Sequence, residues 1–364
     1  MKDAKIFDGA AWHSLRGPSG PEGPSTPSAD AGNTLALGTD ALLFTTAPPD
    51  SDSHVWCRSG DNIAEKYEQA KALTTPGGVA RSATNRVSLL VLPGVYDLGT
   101  YFDENYGDYL PVVLVLDTPF VDVVGLGSAS LPLGCSPAVI VPQGVSVTAS
   151  GLRVSGISAG DLPFTGVATD CVIENCAGGE YSFGFRSEFS NCSGGNYSFQ
   201  GDSTCSNCVG GEYAFFEFAS GTFTNCKGGG YSFGGSVVAS GHFTNCEGGY
   251  GSFGADGLAS GVFTNCKGGE LSFGGRGEAS GSFVNCTGGR DAFGGSGVAS
   301  GNFQNCIGGL SSFGGSYSND ENAEIAASAR LVGCRVTLRT FDTPKAGAIL
   351  RYCLDENFNE VNTP

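Results

Sequence analysis

The residues best suited to chemistry are acidic side chains in the glycine-rich second half of the chain. Glu180 and Glu212 occupy the same place in two units of an internal repeat, and Glu270 and Asp291 form a second, poorer pair. Enzymes that hydrolyse glycosidic bonds use two carboxyl groups roughly 5–9.5 Å apart. If each unit is one coil and coils stack like neighbouring strands, Glu180 and Glu212 lie two coils apart, at about 9.6 Å. This spacing permits a glycan-cleaving site.

The same positions have a simpler interpretation as solvating surface charges, and the sequence favours it. The residue at the place of Glu180 changes from unit to unit without a chemical theme, as an exposed position does. This column reads Glu180, Asn196, Glu212, Gly230, Tyr250, Glu270, Arg290 and Leu310. We therefore predict no catalytic residue, with Glu180 and Glu212 as the candidates to test.

Other catalytic or metal-binding arrangements are not indicated. The three histidines are scattered, and no glycine-rich phosphate loop occurs. The cysteines recur once per unit, which gives a row of sulfur atoms rather than tetrahedral zinc ligands. A lyase would need Lys or Arg near a base, but Lys227 and Lys267 alternate with Glu247 as in a stabilising charge ladder. We expect no metal and no cofactor.

Four tyrosines, Tyr181, Tyr197, Tyr213 and Tyr231, stand at equivalent places in successive units. An exposed column of this kind would be a strip for stacking sugars. Each tyrosine, however, lies two residues before a phenylalanine that we assign to the core. Because alternate residues of a strand share a face, we predict that the tyrosines also pack in the core.

A repeat of Asn-Cys organises the elements that carry these residues. The spacing between successive asparagines is 16, 16 and 18 residues and then 20, and Gly-Gly follows each Asn-Cys. A full unit reads Ala-Ser-Gly-x-Phe-x-Asn-Cys-x-Gly-Gly-x-x-Ser-Phe-Gly. Repeats of this length are typical of solenoids, and no leucine framework of a leucine-rich repeat is present. The sequence therefore predicts an all-β parallel β-helix with coils of about 20 residues.

Three columns of the repeat have predicted structural roles. The asparagines turn a corner with a left-handed backbone and bond to their copies above and below; they are Asn175, Asn191, Asn207, Asn225, Asn245, Asn265, Asn285 and Asn305. The cysteines just past the corner face inward as free thiols, most regularly Cys226, Cys246, Cys266, Cys286 and Cys306. Stacked aromatic rings fill the bore, above all Phe233, Phe253, Phe273, Phe293 and Phe313.

The remaining chain divides into three further segments. Residues 1–50 form an extended N-terminal arm, and 51–170 contain a helix over 61–74 that caps irregular first coils. The segment Val87–Tyr96 predicts a buried strand with a turn. Further strands of those coils are predicted by the short apolar runs Val112–Leu116, Phe120–Val124, Ala138–Val141 and Leu152–Ile157. Residues 171–335 hold the regular coils, with a last rung near Leu331–Cys334, and residues 336–364 cap the other end with a strand or two. A cap is expected because an open end would expose unpaired strand edges.

The arm contains two short features. Ile6 to Trp12 predicts a short hairpin, with Ile6, Phe7 and Trp12 as docking side chains. Three Gly-X-Y triplets begin at Gly17, Gly20 and Gly23, and only glycine fits a crowded axis between three chains. The triplets could therefore help trimerisation, or they could equally be a flexible linker.

The strongly acidic composition argues against a nucleic-acid partner. The net charge is −17 with a pI near 4.4, and binding to nucleic acid needs clustered Lys and Arg. No such cluster occurs, so we expect no nucleic-acid partner. The N-terminus has no signal-peptide core, and no apolar run is long enough to span a membrane. We expect no membrane insertion.

Taken together, these features resemble phage tail fibres and tailspikes of the pectate-lyase-like, right-handed β-helix kind. The resemblance covers most of the chain. The segments that carry it are Lys5–Gly9, the Gly-Pro triplets, the predicted helix before Leu92–Tyr96, Val124–Gly127 and the Phe-x-Asn-Cys-x-Gly-Gly coils. The opening and the triplets are similar to fibre proteins of phages that infect cyanobacteria.

The resemblance implies a homotrimer in the virion tail, assembled in the host cytoplasm. Its N-terminus would dock onto tail or adaptor proteins, and its distal end would meet host surface polysaccharide or another fibre protein. The chain stops soon after its last predicted rung, so a separate receptor-binding domain is expected to be missing or minimal. The alternative is a polysaccharide depolymerase that uses shaft carboxylates. A third possibility, an ice-binding or adhesin solenoid, is disfavoured because only Thr222 and Thr224 form the required pair of threonine columns.

Overall fold

The structure of the chain is a computed structural model, and it divides into two units, Met1–Ser51 and Asp52–Pro364. It describes residues 5–7, 12–14, 35–37, 43–45, 52–74, 76–103, 107–126, 139–160, 170–183, 187–200, 202–216, 219–315, 324–336, 344–355 and 357–361. The described residues are mostly strands, with one α-helix and a parallel sheet of 14 strands, the arrangement of a parallel β-solenoid.

The first unit contains two antiparallel strand pairs. Its strands are β1 (Lys5–Phe7), β2 (Trp12–Ser14), β3 (Leu35–Leu37) and β4 (Leu43–Thr45). In the first pair Phe7 lies opposite Trp12, so the hairpin predicted there is confirmed. The triplets at Gly17, Gly20 and Gly23 lie outside the described residues.

The second unit begins with irregular coils and the helix. Its first elements are β5 (His54–Cys57), α1 (Ile63–Ala72), a 3-10 turn (Pro76–Gly78), β6 (Val87–Val91), β7 (Gly94–Val95), β8 (Thr100–Asp103), β9 (Asp108–Pro111), β10 (Leu114–Leu116), β11 (Val121–Gly125), β12 (Val139–Val141), β13 (Val145–Val147), β14 (Arg153–Ser155) and β15 (Ile157–Ala159). Each predicted apolar run contains a strand. The run over 152–157 is two strands, because Gly156 turns between them with φ +68° and a Cβ there would lie 2.4 Å from the carbonyl oxygen of Gly125.

The helix forms where capping residues and apolar spacing agree. The side chain of Asn62 accepts hydrogen bonds from the amides of Ala64 and Glu65, which satisfies two of the free N–H groups at the helix start. Ile63, Tyr67 and Ala70 are buried on one face. That face packs against β5, β6 and β10.

The repeat supplies the strands of the middle section. They are β16 (Val172–Glu174), β17 (Glu188–Ser190), β18 (Thr204–Ser206), β19 (Thr222–Thr224), β20 (Val238–Ala239), β21 (His242–Thr244), β22 (Leu258–Ala259), β23 (Val262–Thr264), β24 (Glu278–Ala279), β25 (Ser282–Val284), β26 (Val298–Ala299), β27 (Asn302–Gln304) and β28 (Ile307–Gly308). All described pairings among them are parallel and place equivalent residues side by side, as with Phe223, Phe243 and Phe263.

The stack continues one strand beyond the rung we predicted to be the last. The final strands are β29 (Glu324–Ile325), β30 (Arg330–Val332), β31 (Arg335–Val336), β32 (Ile349–Arg351), β33 (Cys353–Leu354) and β34 (Glu360–Val361). The 14-stranded sheet runs from β5 to β32, and β32 pairs with β30. In a neighbouring sheet, β34 turns back antiparallel to β33.

The longer units carry an additional sheet. Partner residues in β16, β17 and β18 are 16 apart, whereas those in β19, β21, β23, β25 and β27 are 20 apart. The strands β20, β22, β24, β26 and β29 form a five-stranded sheet that begins with the longer units. The extra residues of a long unit therefore form a further side of the coil.

In the repeat, the core contains two phenylalanine ladders. One runs from Phe183 to Phe313 and the other from Phe223 to Phe303, with centroids of stacked rings 4.6–5.0 Å apart. Rings of the two ladders meet edge to face, as Phe263 and Phe273 do at 5.6 Å. The predicted core positions Phe233, Phe253, Phe273, Phe293 and Phe313 are all buried.

Candidate functional site

The asparagine corner is built as predicted. All eight asparagines have left-handed backbones with φ between 52° and 54°. Each Nδ2 from Asn191 onward donates to the Oδ1 of the preceding asparagine, at 3.0–3.3 Å. The ladder ends at Gly333, which keeps the left-handed corner but has no side chain.

The cysteines beside this corner are free thiols. All 13 described cysteines are buried, and those of the corner column, from Cys176 to Cys353, form no disulfide. Each ladder sulfur donates to two carbonyl oxygens, as Cys266 does to Phe243 and Thr264 at 3.4 Å. Burial raises the pKa of Cys176 to about 12. Thiols that solvent cannot reach are structural rather than nucleophilic.

The tyrosine column was predicted wrongly. Tyr181 is 47% exposed, and Tyr197, Tyr213 and Tyr231 are only partly buried. Their rings stack nearly parallel, with centroids 4.9–5.2 Å apart. Strand alternation does not apply here, because each tyrosine and the phenylalanine two residues later both have left-handed φ. The buried residue between them points inward instead. It is Ala214 in one unit and a serine in the other three, whose hydroxyl donates to a carbonyl three residues earlier.

The first acidic pair lies beside this tyrosine column. Glu180 and Glu212 are both exposed. Asn196 stands between them: its Nδ2 donates to Oε1 of Glu180 at 3.3 Å, and its Oδ1 accepts from the amide of Glu212 at 2.9 Å. The column order predicted from the repeat is therefore confirmed. The three side chains form a polar surface ladder of carboxylate, amide and carboxylate.

The two members of the second acidic pair, Glu270 and Asp291, lie in different environments. Glu270 is exposed, whereas Asp291 is 7% exposed and bonds to Arg290 at 3.0 Å. Burial raises the pKa of Asp291, and the charge of Arg290 opposes this shift. In one of the longer units, Asp291 occupies the position that the tyrosines hold in the earlier units, and it has the same left-handed backbone. Gly295 packs closely against the backbone of Asp291. The structure therefore places Asp291 under a turn rather than on an open carboxylate strip.

An exposed aromatic hairpin is a feature that the sequence analysis missed. Within the described parts of the chain, β8 and β9 pair only with each other, and Phe102 lies opposite Tyr109 with ring centroids 5.2 Å apart. Tyr101, Phe102 and Tyr109 are 49%, 52% and 67% exposed. The available signal was the sequence itself, with Tyr101-Phe102 and Tyr109-Leu110 close together on either side of acidic residues. The apolar patterns of the sequence predict no strand over residues 100–111.

Among the described residues, no group of three or more His, Cys, Asp or Glu side chains could hold a metal ion. The only α-helix in the described part of the chain is too short to cross a membrane. No protein-family model matches this chain, and no curated protein shows significant similarity to it.

Proposed function

We propose that this chain is the shaft of a trimeric tail fibre or tailspike of a tailed bacteriophage. The observation that carries the proposal is the uninterrupted 14-stranded parallel sheet. At the usual strand spacing this stack is roughly 60 Å long. Its interior is filled by buried aromatic rings and thiols, so the coils act as a rigid spacer. A spacer between a docking end and a contact end is what a tail fibre requires.

The proposal includes finer features of the fold. The coils are right-handed, as in the proteins that the sequence resembles, and α1 is a cap on the N-terminal end. Its packing against β5 supports this role, because β5 is the outermost strand of the long sheet. Ile6, Phe7 and Trp12 dock onto tail or adaptor proteins, and the triplets at Gly17, Gly20 and Gly23 help the three chains associate. The distal end meets host polysaccharide or another fibre protein.

Two measurements test the proposal. Light scattering of the purified protein should give three times the 37.1 kDa chain mass. Antibodies against the chain should label tails, with the N-terminal arm proximal, in electron micrographs of virions whose genome encodes this sequence. A stable monomer, or label on the capsid alone, would contradict it.

Polysaccharide cleavage remains the alternative function. The stacked tyrosines beside Glu180 and Glu212 favour it, since rings and carboxylates together suit a sugar surface. The intervening Asn196 and the exposure of both carboxylates favour a surface ladder instead. Incubation with host envelope glycan and an assay for new reducing ends decides between them. A depolymerase should lose this activity in Glu180→Gln and Glu212→Gln but retain it in Glu247→Gln.

A further inference from the structure

One long surface of the stack carries no charged side chain. The strands β18, β19, β21, β23, β25 and β27 each contribute two outward residues and the asparagine that follows, and we call these 18 residues the neutral face. They are Thr204, Ser206, Asn207, Thr222, Thr224, Asn225, His242, Thr244, Asn245, Val262, Thr264, Asn265, Ser282, Val284, Asn285, Asn302, Gln304 and Asn305. None is Asp, Glu, Lys or Arg, although the chain has 36 acidic and 19 basic residues.

Charge surrounds this face on several sides. Glu188 holds the equivalent outward position in the coil before it, and Arg330 holds it in the coil after it. Beyond the asparagines runs the column of Lys227, Glu247 and Lys267. The neutral face therefore has defined limits within one sheet.

Stacking itself does not exclude charges from these coils. In the adjacent column Glu247 lies 3.5 Å from Lys227 and 3.7 Å from Lys267. On another side of the same coils Arg276 lies 3.3 Å from Asp256. Alternating signs thus make charged columns acceptable elsewhere in the repeat. The asparagine column is already explained by its left-handed corner, but the absence of charge from the two outward columns beside it needs a different cause.

Self-association supplies that cause. In a parallel cyclic oligomer, a residue near the symmetry axis faces its own copies, so any charge there meets the same charge. A hydroxyl or a primary amide is both donor and acceptor and can bond to its own copy. Two chains that each carry a net charge of −17 also repel each other overall, which favours contact through an uncharged face. We infer that the neutral face is the surface through which copies of this chain associate around an axis parallel to the stack.

This inference rests on the trimer in the proposed function and names the surface that forms it. The test places new carboxylates on the neutral face without disturbing the core. Thr222 and Val262 point outward in one column, two coils apart, and both are exposed. The variant Thr222→Glu/Val262→Glu puts like charges around the proposed axis. The matched control Val209→Glu/Thr287→Glu makes the same two changes at exposed positions of the column beyond the asparagines.

Light scattering at low and at high salt measures the mass of each variant in solution and hence its oligomeric state. The wild type and the control should be trimers, whereas the neutral-face variant should dissociate at low salt, with an apparent dissociation constant raised at least about tenfold. High salt, or coexpression with Thr222→Lys/Val262→Lys, should restore association. The reactivity of the cysteines toward a thiol reagent is the folding control. Because the cysteines are buried in folded coils, they should stay unreactive in every variant.

The outcomes separate the inference from the proposal beneath it. A monomeric wild type would contradict the proposed trimer itself. A trimeric wild type whose neutral-face variant also stays trimeric would overturn the inference and leave the trimer standing. Equal dissociation of the variant and the control would overturn it as well, because added charge would then act without regard to position.

Discussion

At the scale of single residues, the corner asparagines combine two requirements that few side chains meet together. A left-handed backbone costs most residues about 1–2 kcal/mol, and asparagine adopts it more readily. A position stacked above its own copies also favours a side chain that can donate and accept at once. Asn265 does both, with Nδ2 donating to Asn245 and Oδ1 accepting from Asn285. This double fit explains why no other residue occupies the corner in eight units.

Substitutions of Asn265 should separate the two contributions. Asn265→Gly keeps an unstrained corner and loses only the ladder bonds, so we expect a loss of about 1 kcal/mol. Asn265→Ala also forces a left-handed alanine and should lose about 2–3 kcal/mol. Lys267→Ala, at an exposed position, should stay within about 0.5 kcal/mol. Denaturant unfolding measures all three, and equal losses for glycine and alanine would show that backbone conformation contributes little.

The buried thiols predict a loss of stability at alkaline pH. An ordinary cysteine pKa is 9.0, and burial raises that of Cys176 to about 12 and that of Cys57 to about 12. Between these values the unfolded chain releases protons that the folded chain retains, so the free energy of unfolding falls as pH rises. Below about pH 9 these thiols should have no effect on the pH dependence.

Thermal unfolding followed from neutral pH to about pH 11 tests this dependence. Cys176→Ala removes one titrating thiol and should give a shallower decline above pH 9. Its cavity lowers stability at every pH, so the slope is the informative quantity. An unchanged slope would mean that Cys176 ionises as readily in the folded chain as in the unfolded one.

At the scale of elements, α1 packs against β5, the outermost strand at one end of the 14-stranded sheet. A free strand edge pairs with other chains and promotes aggregation. Ile63 is the first residue of α1, and its side chain is fully buried on the face of the helix that packs against the coils. Ile63→Glu should therefore detach the helix and produce aggregates that grow with concentration. The control Gln69→Glu adds the same side chain on the exposed side of α1 and should remain soluble; aggregation of neither variant would argue against a capping role.

The sequence predicted the ladders well because stacked coils force equivalent residues together. Periodicity in Asn, Cys and Phe therefore translated directly into contacts. It did not reveal the exposure of Tyr197, since the left-handed backbones of Tyr197 and Phe199 become apparent only from coil geometry. The rung at β32 was overlooked because Tyr352-Cys353 replaces Asn-Cys, although Tyr352 has the same left-handed corner, with φ 53°.

At the scale of the whole molecule, the solenoid is held together by contacts between neighbouring coils. In such folds stability is close to a sum over coils and their interfaces, so coils are interchangeable if the register is kept. The columns of this chain are in register over the 20-residue units, with Phe263 beside Phe283 and Phe283 beside Phe303. Removing one whole unit should thus leave every column intact.

Deleting residues 267–286, one 20-residue unit, joins Cys266 to Thr287 and brings Phe263 next to Phe303. We expect a folded protein with buried thiols, an unchanged oligomeric state and an unfolding temperature lower by only a few degrees, because one interface out of many is lost. Deleting residues 267–276 removes half a unit and places phenylalanines against turns, so this variant should expose its thiols and fail to fold. Thiol titration without denaturant, combined with thermal unfolding, distinguishes the two. If both deletions are equally damaging, the stack depends on unique contacts of the deleted coil rather than on its repeating columns.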